Sequence, residues 1–378
     1  MHARIRTIVV AVVAAASAAT PLCRVQAQDL GDRLSFHGSL IAGMAKSDGP
    51  QYFGISSDGT SAYRAVALQF GYKLADNDRV VVQLLHRQLG DSPLQAVEPP
   101  MAPIWAFYEH REGDWSFKLG RNPLPRGLFN ETRFIGTLLP FYRVGKDVYG
   151  ETLENIDGIV ASHRSTVGSW GIDANLFTGG FDIKALLPGA AAVQTYKVRA
   201  DQSIGTSVIV RTPIEGLRFG GYAHDYQTLP KATSPNRTRT YMWSADGDFE
   251  HAWARAEYSS FRQHSADADA YHGWYGQTGI KFNEKFQVAF EHGDATTLVA
   301  FPAPIPAVDL PFSNYNGVAF NYSPTSNVRY KIEWNHQEGY VFDVPVPSFI
   351  PPTKPPFVMS LAPKSQSNYV IASVAVSF

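Results

Sequence analysis

Cysteine is almost absent from the chain: among 378 residues there is one, Cys23. A single thiol cannot staple a fold from within, which excludes the small disulfide-framework class. Charge is scarce too, at 18% of residues and a net of -1. That balance carries neither a nucleic-acid footprint nor a polybasic patch for a membrane surface. After the first thirty residues no apolar run approaches the roughly 18 residues of a membrane-crossing helix. Nor does any stretch there repeat its apolar positions at the helical period. The H-E-x-x-H and G-x-S-x-G spacings are missing as well.

What the chain does hold begins with a processing signal. Arg4 and Arg6 precede an apolar core from Ile8 to Ala19, followed by Val25-Gln26-Ala27, a small-residue cleavage site. Cys23 would suit a lipoprotein signal, but Leu22 stands where such signals need a small residue. The expectation is a leader at 1–27 and a single exported domain at 28–378, which Cys23 does not reach.

Beyond the leader the dominant period is two. In Val328 to Gln337, Val328, Tyr330, Ile332 and Trp334 take one phase, and Arg329, Lys331, Glu333 and Asn335 the other. Phe286, Val288 and Phe290 alternate in the same way with Gln287 and Glu291, and similar runs lie at 65–73, 80–87, 114–120, 169–177, 217–221 and 370–378. Successive side chains of an extended chain point to opposite faces, so these are two-faced strands.

Seven short connections rich in Gly, Pro, Asn or Asp punctuate them, at 74–78, 111–113, 165–168, 213–216, 247–250, 283–285 and 323–327. Eight longer segments alternate with these, at about 45–61, 91–101, 123–156, 180–203, 229–238, 264–269, 297–314 and 339–367. Fifteen connections join sixteen strands with both termini at the short-turn end. Short turns at one rim, long loops at the other and an even strand count predict an all-β fold, a transmembrane antiparallel barrel of bacterial outer-membrane type. Eighteen strands would need a further hairpin within Val344 to Phe357, a stretch too rich in proline to supply ladder donors.

A soluble β-sandwich or propeller also alternates, but it would pack Val, Ile and Leu into a core. Here aromatics recur near strand ends: Trp105, Phe107, Tyr108, Trp115, Trp170, Tyr241, Trp243, Trp274, Tyr275, Tyr315, Phe320, Tyr322 and Trp334. Girdles at two lipid interfaces produce that distribution. The charged phase then faces a water-filled lumen.

The tail resembles the C-terminal signal of Gram-negative outer-membrane proteins, with Ala372, Val374, Val376 and a terminal Phe378 in register. That resemblance implies outer-membrane lipid and lipopolysaccharide as surroundings, and the outer-membrane assembly machinery as the partner that reads the tail. A second resemblance lies at Gly120 to Phe134, which is similar to the segment after the fifth strand of porins, where a long loop folds into the barrel. It implies a passive channel for small hydrophilic solutes, a homotrimer and no cofactor. No subfamily is assigned, and because this loop mixes signs where many trimeric porins carry an acidic one, the resemblance implies no ion preference.

Independently of that resemblance, the connection at 123–156 is the longest of the fifteen, and long ordered loops are usually functional. Pro123, Pro125 and Gly127 would turn it inward, and Leu124, Leu128, Phe129 and Phe134 would anchor it. The expected constriction residues are Arg126, Asn130, Glu131, Arg133, Arg143, Lys146 and Asp147, with Glu151 and Glu154 nearby. The facing wall is expected from Lys118, Arg211, Arg218, Arg255, Glu257, Arg329, Lys331 and Glu333. A channel specific for an anion or a small organic solute is the alternative reading. A barrel enzyme is a further one, but its most tempting pair, His224-Asp225, is adjacent on a strand and so points to opposite faces.

Overall fold

A computed structural model describes residues 31–150, 153–188, 193–228, 237–264, 269–299, 307–344, 349–350 and 360–378. The expected leader lies outside these. The strands in chain order are β1 (Leu34–Ser47), β2 (Thr60–Lys73), β3 (Asp78–Leu89), β4 (Ala102–Glu112), β5 (Trp115–Pro123), β6 (Asn155–Val167), β7 (Trp170–Pro188), β8 (Val193–Arg211) and β9 (Leu217–Thr228). They continue with β10 (Arg237–Asp248), β11 (Ala252–Gln263), β12 (Tyr271–Lys281), β13 (Phe286–Val299), β14 (Val308–Thr325), β15 (Val328–Gly339), β16 (Phe349–Ile350), β17 (Ser360–Leu361) and β18 (Ser365–Ser377). Sixteen of them, all but β16 and β17, close into one barrel in which every sequential neighbour pairs. The seam is antiparallel, from Ser39 opposite Ser377 to Ser47 opposite Tyr369. No helix among the described residues is long and apolar enough to cross a membrane.

All seven short turns fall between the strands expected to flank them. Period two sets the faces: on β15, Ile332 and Trp334 are half-exposed outside while Lys331 and Glu333 are buried inside. At the seam the Phe378 ring lies where a Cβ on Gly38 would sit, 2.3 Å away, and beside Phe36 at 5.5 Å. Only glycine leaves room there for the terminal ring.

Three expectations need correction. The segment 180–203 is mostly ladder, since β7 and β8 pair from Gly171 opposite Arg211 up to Pro188 opposite Val193, with a bulge after Gly179. Nineteen residues at about 3.4 Å each exceed a roughly 30 Å hydrocarbon core. Above it the outward phase is charged instead of apolar, as where Arg199 meets Asp157 at 2.9 Å and Lys197 meets Asp182 at 3.2 Å, so the alternation disappears while the ladder continues. In the last long loop, β16 and β17 form a two-residue ladder apart from the barrel, so pairing is not absent near the prolines, yet the barrel count stays at sixteen. Finally, Phe107, Tyr275 and Tyr315 are not girdle residues: all three are buried on the inner face. Tyr108 and Trp274 sit next to two of them and are exposed, and adjacent strand residues cannot share a face.

Candidate functional site

The connection between β5 and β6 folds into the lumen. Its neck is tied by Asn130, whose Nδ2 donates to the carbonyls of Leu124 (2.8 Å), Leu153 (3.1 Å) and Glu154 (3.2 Å). Asn130 was expected to line a constriction; it instead holds the two ends of the loop together. From the neck the loop crosses to β11, where buried Glu257 accepts from Leu128 N (2.9 Å), Ser244 Oγ (2.6 Å), Tyr149 Oη (2.7 Å) and Tyr275 Oη (2.5 Å). Four donors satisfy a carboxylate that would otherwise be costly to bury. Gly127, at φ +61°, makes the approach possible, because a Cβ there would lie 2.7 Å from Glu257 Oε1 and 2.3 Å from Met242 Cε.

The middle of the loop descends along β15, β18 and β1. Arg329 donates to Leu139 O (3.4 Å), Lys331 to Phe141 O (3.0 Å), and Glu333 accepts from Tyr142 N (3.0 Å). Gly136 packs on Ala375 and Ile41, and Thr137 Oγ1 meets Ser377 Oγ at 3.1 Å. The expected wall residues Glu257, Arg329, Lys331 and Glu333 therefore touch the loop directly instead of facing it across water. Arg255 stacks on Phe129 (4.8 Å) and Trp253 (4.3 Å) and pairs with Asp246 (3.3 Å). Arg211 and Arg218, cross-strand neighbours at the short-turn rim, pair with Asp173 and with Asp246. Lys118 lies over Phe107 at 5.5 Å.

At the return of the loop two cations sit in aromatic frames. Arg143 lies 4.0 Å over Phe53 and donates to Tyr63 Oη at 2.6 Å. Lys146, in the helical turn Lys146–Tyr149, is 3.9 Å from the Tyr315 ring and donates to Tyr369 Oη at 2.8 Å. Phe53 is one of three non-glycine residues at positive φ among those described, here +47°, a strained conformation that places its ring beneath Arg143. Burial lowers the Lys146 ammonium to about 8, against the opposing pull of Glu291 and Asp147, and raises the Asp147 carboxyl to about 6. Burial would also raise Glu154, but Arg87, Arg133 and Lys184 outweigh it and bring the carboxyl to about 2. Arg87 holds Glu154 at 2.7 Å, and Arg133 bonds Asn130 Oδ1 at 3.4 Å and lies 5.5 Å over Phe134. Glu131 is exposed, and Glu151 lies outside the described residues.

The spaces beside the loop are unequal. Cavities of about 40 and 20 Å³ flank Arg143 and Lys146. Toward the short turns a chamber of about 650 Å³ opens instead, bounded by Glu109, Lys118, Arg126, Glu131, Asp173 and Tyr222 among others. Sequence reasoning missed the tyrosine frame and Arg87, although Tyr63, Tyr369 and Arg87 all lie in the inward phase of their strands. His224 points inward against Tyr222 Oη (2.8 Å), while Asp225, in the opposite phase, bonds Arg237 and His264 (both 2.6 Å). Among the described residues no group of three or more His, Cys, Asp or Glu could hold a metal.

No family model matches the sequence, and no curated protein matches it. Solved structures do match in fold. The outer-membrane channel DcaP of Acinetobacter baumannii superposes with a TM-score of 0.57 at 8% identity, covering 93% of this chain and 99% of that one. OmpF of Salmonella typhi, solved with daunomycin, gives 0.56 at 10% identity, covering 91% and 97%. An anion-selective porin from Comamonas acidovorans gives 0.55 at 9% identity, covering 91% and 99%. The chain therefore has the sixteen-stranded porin fold.

Proposed function

We propose that the protein is a porin of the Gram-negative outer membrane, through which small hydrophilic solutes and ions diffuse without chemical change. The observation that supports this best is the long loop folded across a closed barrel above a polar, ion-paired chamber of about 650 Å³. An apolar outer face meets lipid, and the charges that border the chamber give it a polar lining. Arg121, Arg199, Arg237 and Arg239, ion-paired to Asp157 or Asp225 at the long-loop end, suit contact with lipopolysaccharide phosphates. A homotrimer and recognition of the Phe378 tail by the assembly machinery belong to the same reading.

A channel specific for an anion or a small organic solute is the second reading. It is favoured by Arg143 and Lys146, whose aromatic frames border the small cavities of about 40 and 20 Å³. Planar-bilayer recording of the folded protein in a KCl gradient tests both. Stepwise conductance is expected, and a specific channel would add saturable block by its solute. A folded protein that inserts without conductance would sink the porin reading.

A further inference from the structure

Arg126 differs from five other arginines on the lumen side. Arg79, Arg164, Arg211, Arg218 and Arg255 each pair with a carboxylate. Arg126 is 1% exposed, and among the described residues no carboxylate pairs with it. Its Nη2 donates to Val148 O (no more than a backbone acceptor) and to Ser259 Oγ at 3.3 Å, while its buried Nε and Nη1 have no hydrogen-bond partner. The rings of Tyr149 (5.5 Å) and Phe261 (5.9 Å) flank the guanidinium. Aromatic faces offset part of the cost of a buried cation, but they accept no conventional hydrogen bond from its edge.

A second unpartnered group lies in the same aromatic cluster. His224 is 1% exposed, its Nδ1 is engaged with Tyr222 Oη, and its Nε2 has no partner. Its ring packs on Phe177, Phe181 and Tyr226, which share one apolar cluster with Tyr149 and Tyr222. Arg126 and Tyr222 both border the 650 Å³ chamber, so the cluster adjoins water on that side. When Tyr222 donates to Nδ1, Nε2 carries the proton, and both residues then offer N–H groups that need an acceptor.

We propose that Arg126, with His224 in the same aromatic cluster, forms a binding site for a small oxyanion, a carboxylate or a phosphate, at the loop side of the chamber. It rests on the porin reading, since the chamber is the route by which the anion arrives. The charge of the guanidinium selects an anion over a neutral acceptor, and the aromatic rings give an organic acid an apolar surface to rest on. Nη2 is already engaged, so neither two-pronged edge of the guanidinium is free and each contact is a single hydrogen bond.

The test is calorimetric titration of the detergent-folded protein with sodium benzoate and, separately, with inorganic phosphate, which distinguishes the two sources of oxyanion. One-site saturable binding of either is expected, weakened at least about ten-fold in Arg126→Met and Arg126→Gln, in line with loss of a charge-assisted hydrogen bond. Binding should be unchanged in Arg262→Gln, whose residue pairs with Asp269. No saturable binding by the unaltered protein, or equal binding by the Arg126 variants, overturns the site. If those variants fail to fold, bromide-soaked crystals of the unaltered protein decide. An anomalous peak within hydrogen-bond distance of Arg126 Nε or Nη1 supports the proposal, and its absence overturns it. Conductance is recorded on the same preparation: a conducting protein that binds no anion refutes the site alone, and a binding protein that does not conduct refutes the porin reading.

Discussion

The inner wall has two unlike arcs. From β13 through the seam to β3, where the middle of the loop lies against it, the inward phase mixes small residues and tyrosines, Ala65, Ala67, Ala289, Ala319 and Ala375 with Tyr63, Tyr315 and Tyr369, with charges that bond the loop backbone, Arg329, Lys331 and Glu333. From β4 to β10, beside the chamber, it is polar and ion-paired: Glu109, Lys118, Ser162, Asp173, Asn175 and Ser207. Alanine leaves room for a second layer of chain, and tyrosine supplies a ring to pack and a hydroxyl to anchor it. Charges on the loop-covered arc, Lys331 and Glu333, are satisfied by the loop backbone, whereas those beside the chamber pair with one another. The path of the loop is therefore written into the wall it touches, residue by residue.

Removing the second layer should give the largest effect. Excision of residues 131–149, with a short Gly-Ser bridge, is expected to raise single-channel conductance several-fold in planar bilayers; unchanged conductance would mean that the loop does not limit the path. Next comes the fastening. Glu257→Ala strands four donors and should cost roughly 3 kcal/mol in denaturant unfolding of the folded barrel. A loss below about 0.5 kcal/mol would show that the loop does not depend on this carboxylate.

The packing contrast is sharper in a matched pair. Ala319→Leu forces a larger side chain into the cluster of Phe141, Trp253 and Ala289, and overpacking there should cost about 1–3 kcal/mol. Ser162→Leu, beside the chamber, should cost less than half as much in the same unfolding experiment. Equal losses would erase the distinction between the arcs.

The smallest effect is electrical. Burial raises Asp147, so its stabilising contribution is complete below its unfolded value of 3.8 and is lost as pH rises through about 6. Burial depresses Lys146, so its contribution is complete above 10.5 and is lost as pH falls through about 8. From acid to alkaline pH the pair passes from one positive charge, through balance, to one negative. The reversal potential should move toward cation preference in two small steps, near pH 6 and pH 8. Lys146→Met should leave only the lower step, and a profile with both steps intact would dissociate them from this residue.

The barrel was legible because its signals are local. Alternation at period two and Gly, Asn, Asp or Pro turns lie within a few residues of what they specify, and all seven short turns matched. The hairpin of β7 and β8 was not, because above the lipid a ladder needs no apolar phase. The loop could be identified from its length, but its contacts could not: Lys331 meets Phe141 and Glu257 meets Leu128 across more than a hundred residues. Neither partner carries a local mark of the other. The misassigned Tyr315 is a different case, since its parity, opposite to that of exposed Val318 and Phe320, already places it inside.

The three bonds from Asn130 have a consequence for how such a protein can change. One amide fastens Leu124 to Leu153 and Glu154, so the stretch between starts and finishes at a single clasp attached to the ends of β5 and β6. Whatever replaces it need only preserve that clasp and fit the lumen. Strand pairing and barrel closure are left untouched. In evolution or in the laboratory, the loop is then an exchangeable cartridge, and on the porin reading new permeation properties can be tried without redesigning the housing.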